Sequence, residues 1–346
     1  MRRMRRLLIL TLTIGMIYYT QVIAQPISNT SGIVNGKSIK QLIEDLQNPK
    51  EEISKPALRI LSNLTTKHIF SEHIEEEDVE FGKAFLKSYL QAIKDRADIP
   101  DISKPVYDEI VSAFIKATAS PDQDKVSAAV YALGSARAME AVPTLIRLLK
   151  TSAEPRFVAY ALGKIGPGAA EAVPYLQEIA LKEKSDINFR WAAVEALGDI
   201  RDAKAIPLLV DLSADYDEDV RWRSVRAIGK ILFKNPELIS QNILDALISN
   251  LRDNRGRRVG RTFAAYALMG LGPKAKAAVP DLIVMLKDKN ESHRRAAVNA
   301  LSRIALEDEN VYSELLALKN DPSPNVRATV EQALKDFSKF SPKEKK

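Results

Sequence analysis

The ten residues V-R-W-R-S-V-R-A-I-G, which run from Val220 to Gly229, recur with small changes along most of the chain. The copies reach the same apolar register residue at Leu133, Leu162, Leu197, Ile228, Leu268, Leu301 and Leu334. These register residues are separated by 29 to 40 residues, a period that is typical of repeat arrays. In such an array each unit buries its apolar face only against its neighbours. The repeat therefore predicts a stack of similar units rather than a single globular core.

Each copy of the phrase follows another amphipathic segment, so that the two segments together predict a helical pair. The first segments open with proline at Pro143, Pro174, Pro207 and Pro280, and proline is favourable in the first turn of a helix. The candidate caps of the second helices are Asp186, Asp219 and Asp321. Their candidate ends are Gly134, Gly163, Gly198 and Gly229. The pattern predicts eight helical pairs, at residues 38–66, 104–136, 140–166, 172–200, 205–231, 240–271, 278–305 and 310–338.

The alternation of V-P-x-L-x-x-L-L with V-R-x-x-A-A-x-A-L-G over residues 104–338 resembles HEAT repeats, in particular the short HEAT-like repeats named for the phycobilisome lyases. The resemblance implies an all-α fold, a right-handed α–α superhelix of the armadillo type. It also implies that the second helix of each pair lines the concave side. Residues 38–103 lack the proline and arginine signatures. We expect them to form a degenerate helical repeat plus an extra helix around residues 81–93.

The first 24 residues have the composition of a secretory signal peptide. A basic start with four arginines and no acid precedes an apolar stretch at residues 7–19 and the small-residue sequence Val22-Ile23-Ala24. Polar residues interrupt the stretch, whereas a membrane-spanning helix needs about 20 mostly apolar residues. A retained N-terminal anchor is the alternative. We therefore expect export to the bacterial periplasm or the exterior, a linker at residues 25–37 and a charged tail at residues 339–346.

The composition of the chain excludes several kinds of chemistry. Among its 346 residues there is no cysteine, which rules out disulfides, thiol catalysis and a lipid-modified cysteine. The three histidines are scattered, and the motifs of zinc proteases, nucleophile elbows, phosphate loops and dinucleotide sites are missing from the sequence. Deoxyhypusine hydroxylases, the iron enzymes of the HEAT-like family, use His-Glu pairs, and the sequence contains none. We expect no enzyme activity, no cofactor and no metal.

The net charge of the chain is +6, but it is unevenly distributed. The four arginines of the N-terminal segment supply four of these charges, so the repeats themselves are only mildly basic. A strongly basic surface is what binding to nucleic acid requires. Nucleic acid is therefore not the expected partner.

A polar and aromatic stripe is predicted along the second helices. The residues six and two positions before each register residue are four apart, so they share one helix face, while the alternating face is apolar. The binding residues that this pattern predicts are Tyr131, Arg156, Tyr160, Trp191, Glu195, Trp222, Arg226, Tyr266, Arg295 and Asn299. Tryptophan, tyrosine and arginine dominate binding hot spots, which favours a protein or peptide partner in the concave groove. In the alternative interpretation, Trp191 and Trp222 only cover the junction between neighbouring helices.

Two further groups of arginines have different expected roles. One precedes the stripe by a single position, at Arg190, Arg221, Arg261, Arg294 and Arg327. The resemblance to HEAT repeats implies that these pair with acids in the preceding turn and link neighbouring repeats. The other lies in the loop of residues 252–261, where the candidate anion-binding residues are Arg255, Arg257, Arg258 and Arg261. Because guanidinium groups match phosphate, sulfate and carboxylate, this loop suggests an alternative function, the binding of an anionic glycan or lipid headgroup.

Overall fold

The structure, a computed structural model, describes residues 29–30, 33–34, 36–72, 104–152, 154–182, 186–255 and 259–340. The chain divides into two compact units, residues 1–136 and residues 137–346. Within the described ranges, helices and the turns between them account for nearly all residues. No helix in these ranges is both long enough and apolar enough to cross a membrane. The predicted signal peptide, the extra helix around residues 81–93 and the last six residues lie outside the described ranges.

The first unit contains two helical pairs and a small β-structure. Strands β1 (Asn29–Thr30), β2 (Ile33–Val34) and β3 (Lys37–Ser38) pair antiparallel in that order, so part of the predicted linker is regular structure. The helices are α1 (Ile39–Leu46), α2 (Glu51–Glu72), α3 (Lys104–Ala117) and α4 (Gln123–Ser135). Ser38 and Gln41 form a reciprocal capping box at the start of α1, which fixes the transition from strand to helix.

The second unit contains six helical pairs. Their first helices are α5 (Val142–Thr151), α7 (Val173–Leu181), α9 (Ile206–Leu212), α11 (Gln241–Arg252), α13 (Val279–Met285) and α15 (Glu309–Ala317). Their second helices are α6 (Pro155–Ile165), α8 (Ile187–Ile200), α10 (Glu218–Lys234), α12 (Val259–Leu271), α14 (Glu291–Ile304) and α16 (Pro324–Phe340). The described residues therefore contain the eight predicted pairs, and the all-α prediction is confirmed.

The second helices of this unit pack side by side in chain order, and each first helix packs on the second helix of its own pair. The core between the two layers consists mainly of leucine, isoleucine, valine and alanine. The predicted prolines occupy the first turn of α5, α7, α9 and α13, where the absent N–H would have had no helical partner. Short 3₁₀ turns lead into several first helices, for example at residues 166–172 and 272–278.

Two of the three predicted caps are wrong. Asp186 does cap α8, because its side chain accepts from the backbone N–H of Asn188. On α10 the cap is Asp217, which lies two residues before the predicted Asp219. Asp321 accepts from the N–H of Ser323 and pairs with an arginine of the previous repeat. Before α10 the sequence offers several acids in one turn, and the register of the helix start decides between them; α16 begins at Pro324, three residues after Asp321.

The predicted glycine ends are also wrong, since the second helices continue past these glycines. Gly163, Gly198 and Gly229 lie inside their helices and face an alanine of the next second helix. A Cβ atom added at Gly198 would lie 2.7 Å from the Cβ atom of Ala227, closer than real contacts allow. These glycines therefore permit close approach of neighbouring second helices, and the Gly-Ala contact repeats along the layer.

We predict that Gly198→Ala destabilises the second unit, whereas Gly270→Ala does not. Alanine is the better helix former, but the clash with Ala227 should cost about 1–3 kcal/mol. At Gly270 the nearest atom to an added Cβ is 3.9 Å away, so the substitution should stabilise the helix by up to about 1 kcal/mol. Urea unfolding followed by circular dichroism measures both effects. Equal effects of the two substitutions would contradict the close-approach role.

Four buried arginines join neighbouring repeats through ion pairs. Nη2 of Arg190 lies 2.6 Å from Asp215, and Nε of Arg221 lies 3.0 Å from Asp253. The same pairing recurs between Arg261 and Asp288 at 2.5 Å and between Arg294 and Asp321 at 2.7 Å. Each arginine lies on a second helix and each aspartate lies in the turn of the following repeat. We call this series the arginine ladder.

The ladder was predicted, but with the wrong acids. The guanidinium groups do reach the preceding turn, where they find backbone carbonyls: Arg221 donates to Asp215 and Tyr216, and Arg294 donates to Asp288 and Lys289. Arg327 makes the same carbonyl contacts with Asp321 and Pro322. The aspartate that pairs with each ladder arginine belongs instead to the following repeat. Each of these guanidinium groups, in Arg221 and Arg294, thus donates hydrogen bonds to backbone carbonyls in the turn of its own repeat and forms an ion pair with an aspartate of the next repeat.

The ladder predicts a pH-dependent stability. The hydrogen bond from Arg294 is the main cause that holds the pKa of Asp321 below its usual range. Because the unfolded value is about 3.9, the stability from this pair is complete above about pH 5 and is lost as the pH falls through the folded pKa. Asp321→Asn, which removes the paired carboxylate from the buried Arg294, should cost about 3–5 kcal/mol at pH 7.

The matched control for this substitution is Asp281→Asn. Its partner Arg252 has a side chain that is 66% exposed, so solvent screens the pair and its loss should destabilise the protein far less than Asp321→Asn does. Urea unfolding at pH 7, 5 and 3 measures the free energy of both variants. The effect of Asp321→Asn should shrink at acidic pH, and an effect that is constant from pH 7 to pH 3 would contradict the ion-pair origin.

Candidate functional site

The predicted stripe residues of the second unit lie on the outward side of the second-helix layer. Trp191 and Glu195 lie on α8, and Trp222 and Arg226 lie on α10; all four are half-buried. Arg156 and Tyr160 on α6 are exposed, and Tyr266, Arg295 and Asn299 on α12 and α14 are half-buried. Tyr131 belongs to α4 of the first unit, where 38% of the residue is exposed.

The centre of the stripe is an alternating stack of aromatic rings and guanidinium groups. The guanidinium carbon of Arg223 lies 4.7 Å from the ring centre of Trp191 and 4.2 Å from that of Trp222. Arg226 lies 5.3 Å from the ring centre of Trp222 and 5.7 Å from that of Phe263. The rings of Trp222 and Phe263 also stack, with centres 5.3 Å apart. These distances are those of favourable cation–π contacts, so side chains of three successive second helices form one continuous surface.

Carboxylates hold the polar ends of this stack. The indole N–H of Trp191 donates to Asp217 at 2.9 Å, and that of Trp222 donates to Asp219 at 2.7 Å. Asp219 also binds Arg223 at 2.7 Å, and Glu195 binds Arg226 at 2.5 Å. Both indole donors are therefore used inside the protein. What the tryptophans offer to a ligand is the apolar surface of their rings.

At one end of the stack, α6 carries two exposed aromatic residues. Phe157 is 41% exposed and Tyr160 is 44% exposed. The guanidinium group of Arg156 lies 4.9 Å from the ring centre of Phe157, and the ammonium group of Lys164 lies 5.1 Å from that of Tyr160. We use the term aromatic face for the six rings of this surface: Phe157, Tyr160, Trp191, Trp222, Phe263 and Tyr266.

Sequence reasoning missed several residues of this site. Phe157, Arg223 and Phe263 each follow a predicted stripe position by one residue. Asp217 and Asp219, which hold the indole groups, were not assigned to the site either. The sequence did carry a signal for these three residues, Phe157, Arg223 and Phe263, because the equivalent position is alanine in other repeats, at Ala192 and Ala296, and a large side chain there stands out. A stripe of two positions per repeat was too narrow to include them.

The arginine loop does not form the predicted anion site in the residues that can be described. Arg261 is 9% exposed, and its guanidinium group donates to the carbonyl of Leu251 and to Asp288, so it belongs to the ladder. Arg255 is exposed but pairs with Asp253 at 3.0 Å. Arg257 and Arg258 lie outside the described ranges. The prediction for Arg261 is therefore wrong, since burial and two internal partners leave it no access to a ligand.

Across the described ranges, no group of three or more histidine, aspartate or glutamate side chains is arranged to hold a metal ion. The aromatic face combines large apolar rings with arginines that are fixed by carboxylates, and such surfaces contribute strongly to protein recognition.

A family model for HEAT repeats matches residues 111–188, 179–264 and 244–335, well over half of the sequence. The chain belongs to the HEAT-repeat family. HEAT repeats commonly mediate protein binding and are generally non-catalytic. No curated protein matches this HEAT-repeat chain.

The solved structures that the chain matches include two engineered proteins and a designed armadillo repeat protein. One engineered protein is 19% identical, with a TM-score of 0.46, and the match covers 87% of this chain and 88% of that chain. A second engineered protein is 18% identical, with a TM-score of 0.37 and coverage of 87% and 96%. A designed armadillo repeat protein is 19% identical, with a TM-score of 0.41 and coverage of 66% and 99%.

We predict that Arg223→Ala loosens the stack around both tryptophans. The loss of two cation–π contacts and of the ion pairs with Asp219 and Glu195 should cost about 1–2 kcal/mol. Trp191 and Trp222 are the two tryptophans of the chain, so quenching of tryptophan fluorescence by acrylamide reports on this site alone. Quenching should increase in Arg223→Ala and stay unchanged in the control Arg303→Ala. Unchanged quenching in both variants would show that Arg223 does not order the rings.

Proposed function

We propose that this HEAT-repeat chain is a non-catalytic scaffold that binds an extended segment of a protein partner on its aromatic face. The observation that carries the proposal is the stack of Trp191, Arg223, Trp222, Arg226 and Phe263 across three successive helices. A surface of this kind presents large contact areas without further ordering of its side chains. Such preorganisation lowers the entropic cost of binding. By analogy with other HEAT repeats, we expect this face to line the concave groove.

The rings also lie on consecutive second helices, as the binding of an extended segment requires. The aromatic face extends over α6, α8, α10 and α12, and at the equivalent stripe positions of α16 stand Ala328 and Gln332. Aromatic surface is thus concentrated on four consecutive second helices. A segment that crosses these helices would contact at least one ring on each.

We further propose that the chain works outside the cytosol, after export directed by residues 1–24. The basic start, the apolar stretch and the absence of cysteine support this proposal. N-terminal sequencing of the protein purified from its source tests it. A new N-terminus near Gln25 is the expected result, whereas an intact Met1 in a membrane fraction would support a retained anchor.

The alternative function, anion binding by the loop at residues 252–261, receives less support. Two of its arginines are neutralised by aspartates of the same chain, since Arg252 pairs with Asp281 and Arg255 pairs with Asp253. The capture experiment below includes a test of ionic strength, because binding of a polyanion through these arginines should weaken steeply in salt.

We predict that the double variant Trp191→Ala/Trp222→Ala loses its protein partner. Each ring is expected to contribute hot-spot energy, so the affinity should fall by at least about 30-fold. The tagged chain is crosslinked in the envelope of its source cells, and the captured proteins are compared by mass spectrometry at low and at high salt. Capture that resists salt and is lost in the double variant is the expected result.

Two controls accompany this experiment. Tyr312→Ala removes an exposed aromatic residue from a first helix, outside the aromatic face, and should leave capture intact. Trp191→Phe/Trp222→Phe keeps aromatic rings in place and should retain most of the binding. If the alanine pair is folded by circular dichroism and still captures every partner, the proposed function is wrong.

A further inference from the structure

Arg295 occupies the stripe position of Trp191 and Trp222 on α14, but it is not paired like the other arginines of the stripe. Its buried Nε atom has no hydrogen-bond partner, and among the described residues no carboxylate lies within ion-pair distance of it. The other two arginines of the stripe, Arg156 and Arg226, are held by Glu154 and Glu195. The stripe therefore ends in a half-buried cation that lacks a counter-charge.

The stripe positions next to Arg295 carry no acid, and Glu291, one turn earlier on α14, forms no ion pair with it among the described residues. The stripe positions on α12 are Thr262 and Tyr266, the second position on α14 is Asn299, and those on α16 are Ala328 and Gln332. None of these side chains carries a negative charge. A half-buried guanidinium group without a carboxylate partner gains most from a carboxylate supplied by a ligand, because hydrogen bonds between charged groups are the strong ones.

The tryptophan end of the surface, on α8 and α10, would bind a different part of the same ligand. The indole N–H groups of Trp191 and Trp222 are occupied by Asp217 and Asp219, so these rings provide apolar contact only. A ligand that uses both ends must carry an apolar side chain for the rings and an acidic side chain for Arg295.

We propose, on the basis of the function proposed above, that the partner is an extended peptide segment with an apolar residue on Trp222 and an acidic residue on Arg295. Trp222 and Arg295 lie on second helices that are two steps apart in the layer, with α12 between them. Neighbouring helices pack about 8–10 Å apart, so the two side chains are separated by about 16–20 Å. An extended chain covers about 3.3 Å per residue, which places the acidic residue about five or six positions from the apolar residue.

A library of random 12-residue peptides displayed on phage tests this without knowledge of the partner. Selection on the full chain should enrich peptides with an aromatic or aliphatic residue and an aspartate or glutamate about five or six positions apart. Selection on Arg295→Gln should keep the apolar residue and lose the acid. A selected peptide should bind Arg295→Gln about ten- to hundredfold more weakly than the unaltered chain.

The matched control is Arg303→Gln, which removes an exposed arginine from the same helix α14 at a position outside the stripe. It should enrich the same peptides as the unaltered chain. Peptides without an acid, or an acid that survives in Arg295→Gln, would overturn this inference and leave the proposed function intact. If the unaltered chain enriches nothing, or if enrichment is unaffected by Trp191→Ala/Trp222→Ala, the proposed function itself fails.

Discussion

The buried guanidinium groups of the arginine ladder constrain the rest of the second unit. Arg190, Arg221 and Arg294 are each at most 8% exposed, and a charge at such depth is strongly destabilising unless it is paired. The carboxylate that each one needs lies in the following repeat, and the carbonyls that it also binds lie in its own turn. A repeat can therefore satisfy its arginine only when the next repeat is docked in one register, so the ladder links local folding to stacking.

The ladder also determines where the aromatic face points. Each ladder arginine is followed directly by a stripe residue, as in Arg190-Trp191 and Arg221-Trp222. Successive residues on a helix are about 100° apart, so a buried arginine fixes the rotation of its helix and places the next side chain at the outer edge of the layer. The Gly-Ala contacts then bring neighbouring helices close enough for Arg223 to touch the rings of two repeats. The ladder that stabilises the stack and the surface that we propose for recognition thus occupy adjacent positions of one helix.

The repeat signal made most of the fold predictable from the sequence. Period, proline positions and apolar register gave the helical pairs, because these features follow from local geometry. Details that depend on the relation between repeats were harder to predict. The role of Gly198 and the direction of the ladder both arise from contacts with the next repeat, which lies about 30 residues away. The same holds for Arg223, whose partners are two rings on different helices.

The sequence left open whether Trp191 and Trp222 bind a partner or only cover the junction between helices, and the geometry indicates that these roles support each other. Their indole N–H groups and the adjacent guanidinium groups are held by Asp217, Asp219 and Glu195. The side chains therefore lose their conformational entropy when the protein folds, and they lose little more when a ligand binds. A ligand then meets rings that are already oriented, and its polar requirements shift to Arg295, the cation that folding leaves without a counter-charge. In the function that we propose, packing at the junction prepares the surface, and the arginine without an ion pair gives it a preference for an acidic ligand.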